Sequence, residues 1–342
     1  MPRHRGRVSL TTATTVALIA GHALAHPAHP DHEHEPGSPG QEHRHQASEA
    51  GLPVPQVTIS VEGDVRVIRS NGLPGHDTGE FPNRGNPNAL RAQSHEYRVP
   101  LNPQVAEAPT IARPEFGIGV NGVVFDSGTG EFWTADRARA FGGGSDWNYE
   151  ALGGGVPLGL DDNHAHVQPT GKYHYHGVPT GLLDRLGGEE GVERMILVGW
   201  AFDGFPIYGP YGHSDANDAS SEVRMLTSSY AVKDGERPTP PEGPGGAYDG
   251  TFGLDYEYVE GSGDLDECNG RFGVTPEFPE GTYYYVITED FPQIPRMWRG
   301  TPDESLRSRR GGGPRGGDGQ RERPRGPRRG ERGERGPRPP RT

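Results

Sequence analysis

The 342-residue sequence has one cysteine, a hydrophobic fraction of only 31%, and no apolar run long enough to span a bilayer. A single thiol excludes an internal disulfide framework and any zinc cluster built on cysteines. Cys268 also lies too far along the chain to be an N-terminal lipid-anchored residue. In place of these features stand 54 Gly and 34 Pro, about a quarter of the residues, which disfavours a protein of long helices. What remains is a turn-rich chain.

Positive charge is scarce except at one end. The formal charge is −13, yet residues 307–342 hold 13 Arg against Asp318, Glu322, Glu331 and Glu334, a net of +9, which leaves −22 on residues 1–306. The chain is an acidic body with a basic tail. The segment 301–342 repeats Arg, Gly and Pro with no aliphatic residue after Leu306, a composition expected to be disordered. Its charge suits an anionic cell-surface polymer, and a solvated tail without a specific partner is the plainer reading. Nucleic acid is the weaker partner for an exported chain.

Export is expected from the other end. Arg3, Arg5 and Arg7 precede the apolar stretch Val16 to Ala20, and Ala23-Leu24-Ala25 has the small-residue pattern of a cleavage site. Residues 1–25 are therefore read as a signal peptide cleaved near Ala25, which sends the chain to the periplasm or outside the cell. Residues 26–56 follow with His26, His29, His32, His34, His43 and His45, six prolines up to Pro55 and almost no aliphatic side chains. Such a segment cannot bury enough apolar surface to order itself. It reads either as an auxiliary metal-capture tract or as a solvated spacer.

Residues 57–300 form one candidate domain. Its apolar runs are short and β-branched or aromatic: Val57–Val61, Val65–Ile68, Gly117–Val120, Val123–Phe125, Met195–Phe202 and Tyr283–Thr288. Asn121-Gly122 and Asp203-Gly204 supply hairpin turns between such runs. One helix is expected near Gly181–Val192. The fold class is mainly β: a single irregular β-sandwich or barrel with hairpins and at most one or two short helices, flanked by disordered ends.

Several motifs fail on inspection. Gly117, Gly119 and Gly122 have dinucleotide-fingerprint spacing, but a strand-like Val-Val-Phe follows where a helix N-terminus is needed. Gly171-Lys172 is followed by Tyr173, so no phosphate loop is present, and no H-E-x-x-H or G-x-S-x-G occurs. Asp264, Asp266 and Gly270 approximate a calcium loop with its Gly one place late, and a solvated acidic loop is the better reading.

The chemistry concentrates between Asp161 and Gly177. His164-x-His166 and His174-x-His176 flank Gln168-Pro-Thr-Gly171, and alternation places residues i and i+2 on one face of a strand. Pro169 starting a type I turn and Gly171 in the left-handed position favour a three-residue hairpin loop. That register pairs Gln168 with Lys172, His166 with His174 and His164 with His176, so four imidazoles share one face. The set suits copper or zinc, with Asp161 and Asp162 as further ligands or as acceptors that orient the rings. Surface or hydrogen-bonded histidines stacked on tyrosines are the alternative. Tyr173 and Tyr175 fall on the opposite face, where they pack.

Tyr173-His-Tyr-His176 before Gly177, with His164, His166 and Gln168-Pro-Thr-Gly171, resembles the signature of the YHYH-domain family of exported proteins. Phe202-Asp-Gly-Phe-Pro-Ile-Tyr-Gly-Pro210, Leu265-Asp-Glu-Cys-Asn-Gly-Arg271, and Gly281-Thr-Tyr-Tyr-Tyr285 through Arg296 resemble later blocks of the same family. The resemblance covers roughly residues 55–300 and implies membership and export without prescribing a reaction. Tyr283-Tyr284-Tyr285 departs from a Tyr-His-Tyr pattern in the late block, which argues against ligands there. In the Phe202–Tyr211 block, Asp203, Tyr208 and His213 either pack as an aromatic turn or rim a pocket near the metal, with Asp203 as candidate general base. Three functions follow from these readings. The first is binding of copper or zinc by the hairpin; the second is a metal-dependent extracellular hydrolase or oxidoreductase; the third is polyanion binding through the tail.

Overall fold

The structure, a computed structural model, describes residues 51–112, 115–136, 145–188, 193–304 and 306. The expected signal peptide, the histidines from His26 to His45 and the basic tail from residue 307 lie outside the described residues.

Alternating β-branched residues form the first antiparallel sheet, β1 (Val57–Glu62), β2 (Val65–Ser70) and β3 (His95–Pro100), in the order β1-β2-β3. Gly63, at φ +63°, lets the chain reverse between β1 and β2. β4 (Val105–Ile111) pairs with the last strand, β17 (Met297–Gly300), far away in sequence. The main sheet is built from β5 (Glu115–Gly119), β6 (Val124–Asp126), β7 (Ala165–Val167), β8 (Tyr173–Tyr175), β9 (Leu197–Ala201), β10 (Pro206–Tyr208), β15 (Gly270–Gly273) and β16 (Thr282–Val286). These eight lie in the order β15-β16-β10-β9-β5-β6-β8-β7. Two small ribbons, β11 (Tyr211–His213) with β12 (Val223–Met225) and β13 (Tyr230–Val232) with β14 (Tyr256–Tyr258), sit in the long excursion between β10 and β15.

The mainly β class stands, but the sheets do not close into a barrel. Asn121-Gly122 and Asp203-Gly204 turn between the antiparallel pairs β5·β6 and β9·β10, with Gly122 at φ +78° and Gly204 at φ +102°. Two neighbours in the sheet are parallel, β6 with β8 and β10 with β16. Neither follows from a hairpin pattern, because each joins strands separated by long connections. The helix α1 spans only Thr180–Arg185, and Gly187 follows at φ +83°, so it ends well before the expected Val192.

One core binds the first sheet to the main one. Ile68, Tyr97 and Val99 from β2 and β3 pack with Phe116, Ile118, Phe125, Tyr175, Ala201 and Tyr285 from the larger sheet. The valine, isoleucine and phenylalanine side chains among them each contribute roughly 1.5–3 kcal/mol on burial. A second cluster forms around Met195, Tyr208, Leu226, Leu265, Tyr284 and Val286, beneath the β11·β12 ribbon.

Candidate metal centre

The histidine hairpin forms in the register that its turn residues dictate. Ala165 pairs with Tyr175, His166 with His174 and Val167 with Tyr173. Gln168 N–H donates to Lys172 O (2.8 Å) and Gly171 N–H to Gln168 O (2.8 Å), with Gly171 at φ +89°. Tyr173 and Tyr175 are fully buried on the opposite face. There the Tyr173 hydroxyl donates to Asp161 Oδ2 (2.7 Å), and Tyr175 meets His76 Nε2 (2.5 Å) and accepts from Asn121 Nδ2 (2.9 Å).

Three imidazoles converge rather than four. His176 Nε2 lies 2.9 Å from His174 Nε2 and 3.2 Å from His166 Nε2. Among the described residues, these three form the one group of three or more His, Cys, Asp or Glu whose ligand atoms gather within 4.8 Å of one another. His174 and His176 are buried and His166 partly so. His164 is a correction to the four-histidine face. Its φ of +52° takes it out of the strand, and its Nδ1 lies 2.8 Å from Val178 O. Alternation holds only while the backbone is extended, and at His164 it is not.

Each converging ring is held by a backbone carbonyl. His166 Nδ1 lies 2.8 Å from Leu158 O, His174 Nδ1 lies 3.4 Å from Lys172 O, and His176 is hydrogen-bonded to the Asp126 backbone. A carbonyl only accepts, so the proton belongs on the outer nitrogen and the Nε2 lone pairs face each other. Burial lowers the pKa of all three imidazoles, well below the ordinary value for His174 and His176, where the charge of neighbouring rings adds to it. With the Nδ1 nitrogens bonded to carbonyls, the three Nε2 atoms converge as a donor set that could hold a metal ion. In a tetrahedral zinc site with Zn–N near 2.0–2.1 Å, two ligand nitrogens lie about 3.3 Å apart. The separations here are of that size, so the donor set fits a bound transition metal.

The parallel β6·β8 pair sets the third ring, because it lays β6 beside the His174 strand and brings the Asp126 carbonyl to His176. Leu158 comes from the long β6–β7 connection. Asn86, from the β2–β3 connection, fixes that connection to the hairpin: its Nδ2 donates to Val167 O (2.9 Å) and lies 3.1 Å from His166 Nδ1. Asn88 Nδ2 also donates to Val167 O (2.8 Å). Sequence reasoning missed these supports. Backbone acceptors carry no residue signature, and the asparagine density from Asn83 to Asn88 was the one available signal.

The carboxylates beside the first histidine pair lie elsewhere. Asp161 accepts from the backbone N–H groups of Asn163, Ala165 and Gly79 as well as from Tyr173, on the tyrosine side of the hairpin. Asp162 is exposed, and its carbonyl accepts from Thr180 Oγ1 (2.8 Å). Neither belongs to the converging group.

Asp203 is likewise far from the hairpin. The cross-strand sequence Ala201, Gly117, Phe125, Tyr175 separates the β9 end from β8 by three strand spacings, roughly 14 Å. Asp203 is fully buried; its Oδ2 accepts from Tyr285 Oη (2.5 Å) and Gly300 N (2.8 Å), and its Oδ1 from Phe205 N (3.3 Å). It anchors β17 to β16. Tyr208 donates to Glu277 Oε2 (2.6 Å), and His213 Nδ1 lies 3.4 Å from Ser221 O. These three residues therefore do not rim a pocket at the histidine cluster. A cleft of about 460 Å³ lies instead beside the Asp126 end of β6, lined among others by Ser127, Thr129, Phe132, Tyr149, Glu150 and Arg296. Arg296 Nη2 donates to Glu150 Oε2 (2.5 Å), and burial pushes the Glu150 carboxyl up against that pairing.

The acidic loop is closed upon itself. Asp266 accepts from Cys268 N, Gly270 N and Tyr283 Oη, and Asp264 is paired with Arg224, so the calcium-like spacing serves a turn. Cys268 is buried, and burial pushes its thiol up to about 12. No helix among the described residues is long and apolar enough to cross a membrane.

No curated protein and no solved structure matches the chain. A family model described as YHYH protein matches residues 96–300, more than half of the sequence, and takes in the histidine hairpin, the Asp203 turn, the acidic loop and the triple-tyrosine strand. By that match the chain belongs to the YHYH protein family.

Proposed function

We propose that the protein is an exported metal-binding module that holds one copper or zinc ion through His166, His174 and His176. The observation that carries this reading is the convergence of three Nε2 atoms whose rings are each oriented through a backbone carbonyl. When bound, the ion supplies a Lewis-acidic or redox centre, depending on its identity. Cleavage near Ala25 delivers the chain outside the cytoplasm. The histidines from His26 to His45 then collect the ion at the surface, and the arginine tail holds an anionic cell-surface polymer.

The test is metal content by inductively coupled plasma mass spectrometry on untagged protein, beside a His174→Ala/His176→Ala variant. One ion per domain that is lost in the variant supports the reading. Absence of copper and zinc from both, after loading, overturns it.

The second reading, a metal-dependent extracellular enzyme, draws on the cleft beside Asp126. Glu150 replaces Asp203 as its base, since Asp203 is enclosed. Glu150→Gln that abolishes turnover while sparing metal content would support it.

A further inference from the structure

β1 is an edge that nothing covers among the described residues. All six of its residues are exposed, with Val57, Ile59 and Val61 at 37%, 42% and 66%, and β2 is its one neighbour in the sheet. Natural edge strands are blunted by Lys, Pro, bulges or inward charges, because an open row of N–H and C=O groups recruits another strand. Val57 to Val61 has none of these devices.

The direction of the free groups follows from the ladder. Asn71 N–H donates to Gln56 O (3.0 Å), so Gln56 points toward β2. In antiparallel pairing, alternate residues point the same way, so Thr58, Ser60 and Glu62 bond β2 while Val57, Ile59 and Val61 present N–H and C=O outward. The aliphatic side chains and the free backbone groups thus belong to the same three residues.

We propose that β1 pairs with β1 of a second copy of this chain across a two-fold axis at Ile59. The strand Val57-Thr-Ile-Ser-Val61 has the same chemistry read in either direction: aliphatic at 57, 59 and 61, hydroxyl at 58 and 60. An isologous contact requires this self-complementarity. With Ile59 opposite Ile59, Val57 meets Val61 and Thr58 meets Ser60 of the second copy. The outward N–H and C=O groups of both strands are then all paired. Glu62 falls opposite Gln56, so the register sets no like charges against each other. The 57/59/61 side chains lie on the face that carries Ile68 and Tyr97 into the core, so both bodies stand on one side of the joined sheet and the aliphatic side chains cover one another in the seam.

Sedimentation velocity on the full chain across the micromolar range tests this, with a reversible species of twice the chain mass expected. Ile59→Pro removes only an outward N–H and spares the β1·β2 bonds; it is expected to leave a monomer with an unchanged far-UV spectrum and melting temperature. Ile59→Lys provides a second, charge-based disruption with the same expected result. Thr58→Cys/Ser60→Cys reads the register. The two residues face each other in a closely spaced pair with Cα atoms about 4.5 Å apart, within disulfide reach, so mild oxidation is expected to give a covalent dimer. A monomer at every concentration overturns the proposal. So does a dimer that survives both Ile59 variants, or one that the cysteine pair does not cross-link.

Discussion

On the proposed reading of His166, His174 and His176 as metal ligands, loading the chelator-treated protein with copper or zinc should raise its melting temperature. His176 Nε2 lies 2.9 Å from His174 Nε2 and 3.2 Å from His166 Nε2, so one ion could engage all three rings of the folded state. A ligand that binds only the folded state stabilises it by about 2.7 kcal/mol at 100 times its dissociation constant. For a domain of 150–250 residues each kcal/mol moves the midpoint by about 2–4 °C, so the expected rise is about 5–11 °C. Metal held by histidines of the unfolded chain reduces this figure. The assay is differential scanning calorimetry on chelator-treated protein, before and after addition of copper or zinc in turn. His176→Ala removes the ring that bridges the other two and should abolish the rise while leaving a cooperative transition. An unchanged midpoint with both metals would refute the reasoning, and so would an equal rise in His176→Ala, since the convergence of Nε2 atoms would then hold no ion.

The remaining predictions separate the roles of neighbouring residues. His164→Ala should keep full metal stoichiometry by mass spectrometry and cost about 1 kcal/mol in denaturant unfolding, through loss of the hydrogen bond to Val178 O. Asn86→Ala should weaken metal affinity about 10–100-fold in competition titration without changing stoichiometry, because Asn86 holds the connection that orients His166. Gly171→Ala should destabilise by about 1–2 kcal/mol in chemical denaturation, since φ is +89° and the added methyl meets Arg91. Burial pushes the Asp203 carboxyl up to about 6, so the folded state holds its proton more tightly than the unfolded chain does. The stability from this group is complete below about pH 4 and is lost as pH rises through 6, about 3 kcal/mol in all. Relative to Asp203→Asn, the wild-type protein should lose that amount between these pH values in urea titrations, and parallel curves would refute it.

The sequence by itself determined the β class, six strand positions and the hairpin register. Pro169 and Gly171 admit few loop geometries, and strict alternation then assigns His166 and His174 to one face and Tyr173 and Tyr175 to the other. These are short-range constraints, written in the residues that obey them. Tertiary structure decided the rest. His164 left the face because its backbone turns left-handed where Asp161 closes the hairpin base, and Asp161 is held there by Tyr173 of the hairpin and by Gly79 from outside it. The carbonyls of Leu158 and Asp126 reach the rings through a long connection and a parallel pairing, and a carbonyl looks alike in every residue. Asp203 carried the signal of a tight turn, which it makes, but only the approach of β16 and β17 set Tyr285 and Gly300 on its carboxylate and enclosed it. Local chemistry chose the ligands on offer, and long-range packing chose which of them meet.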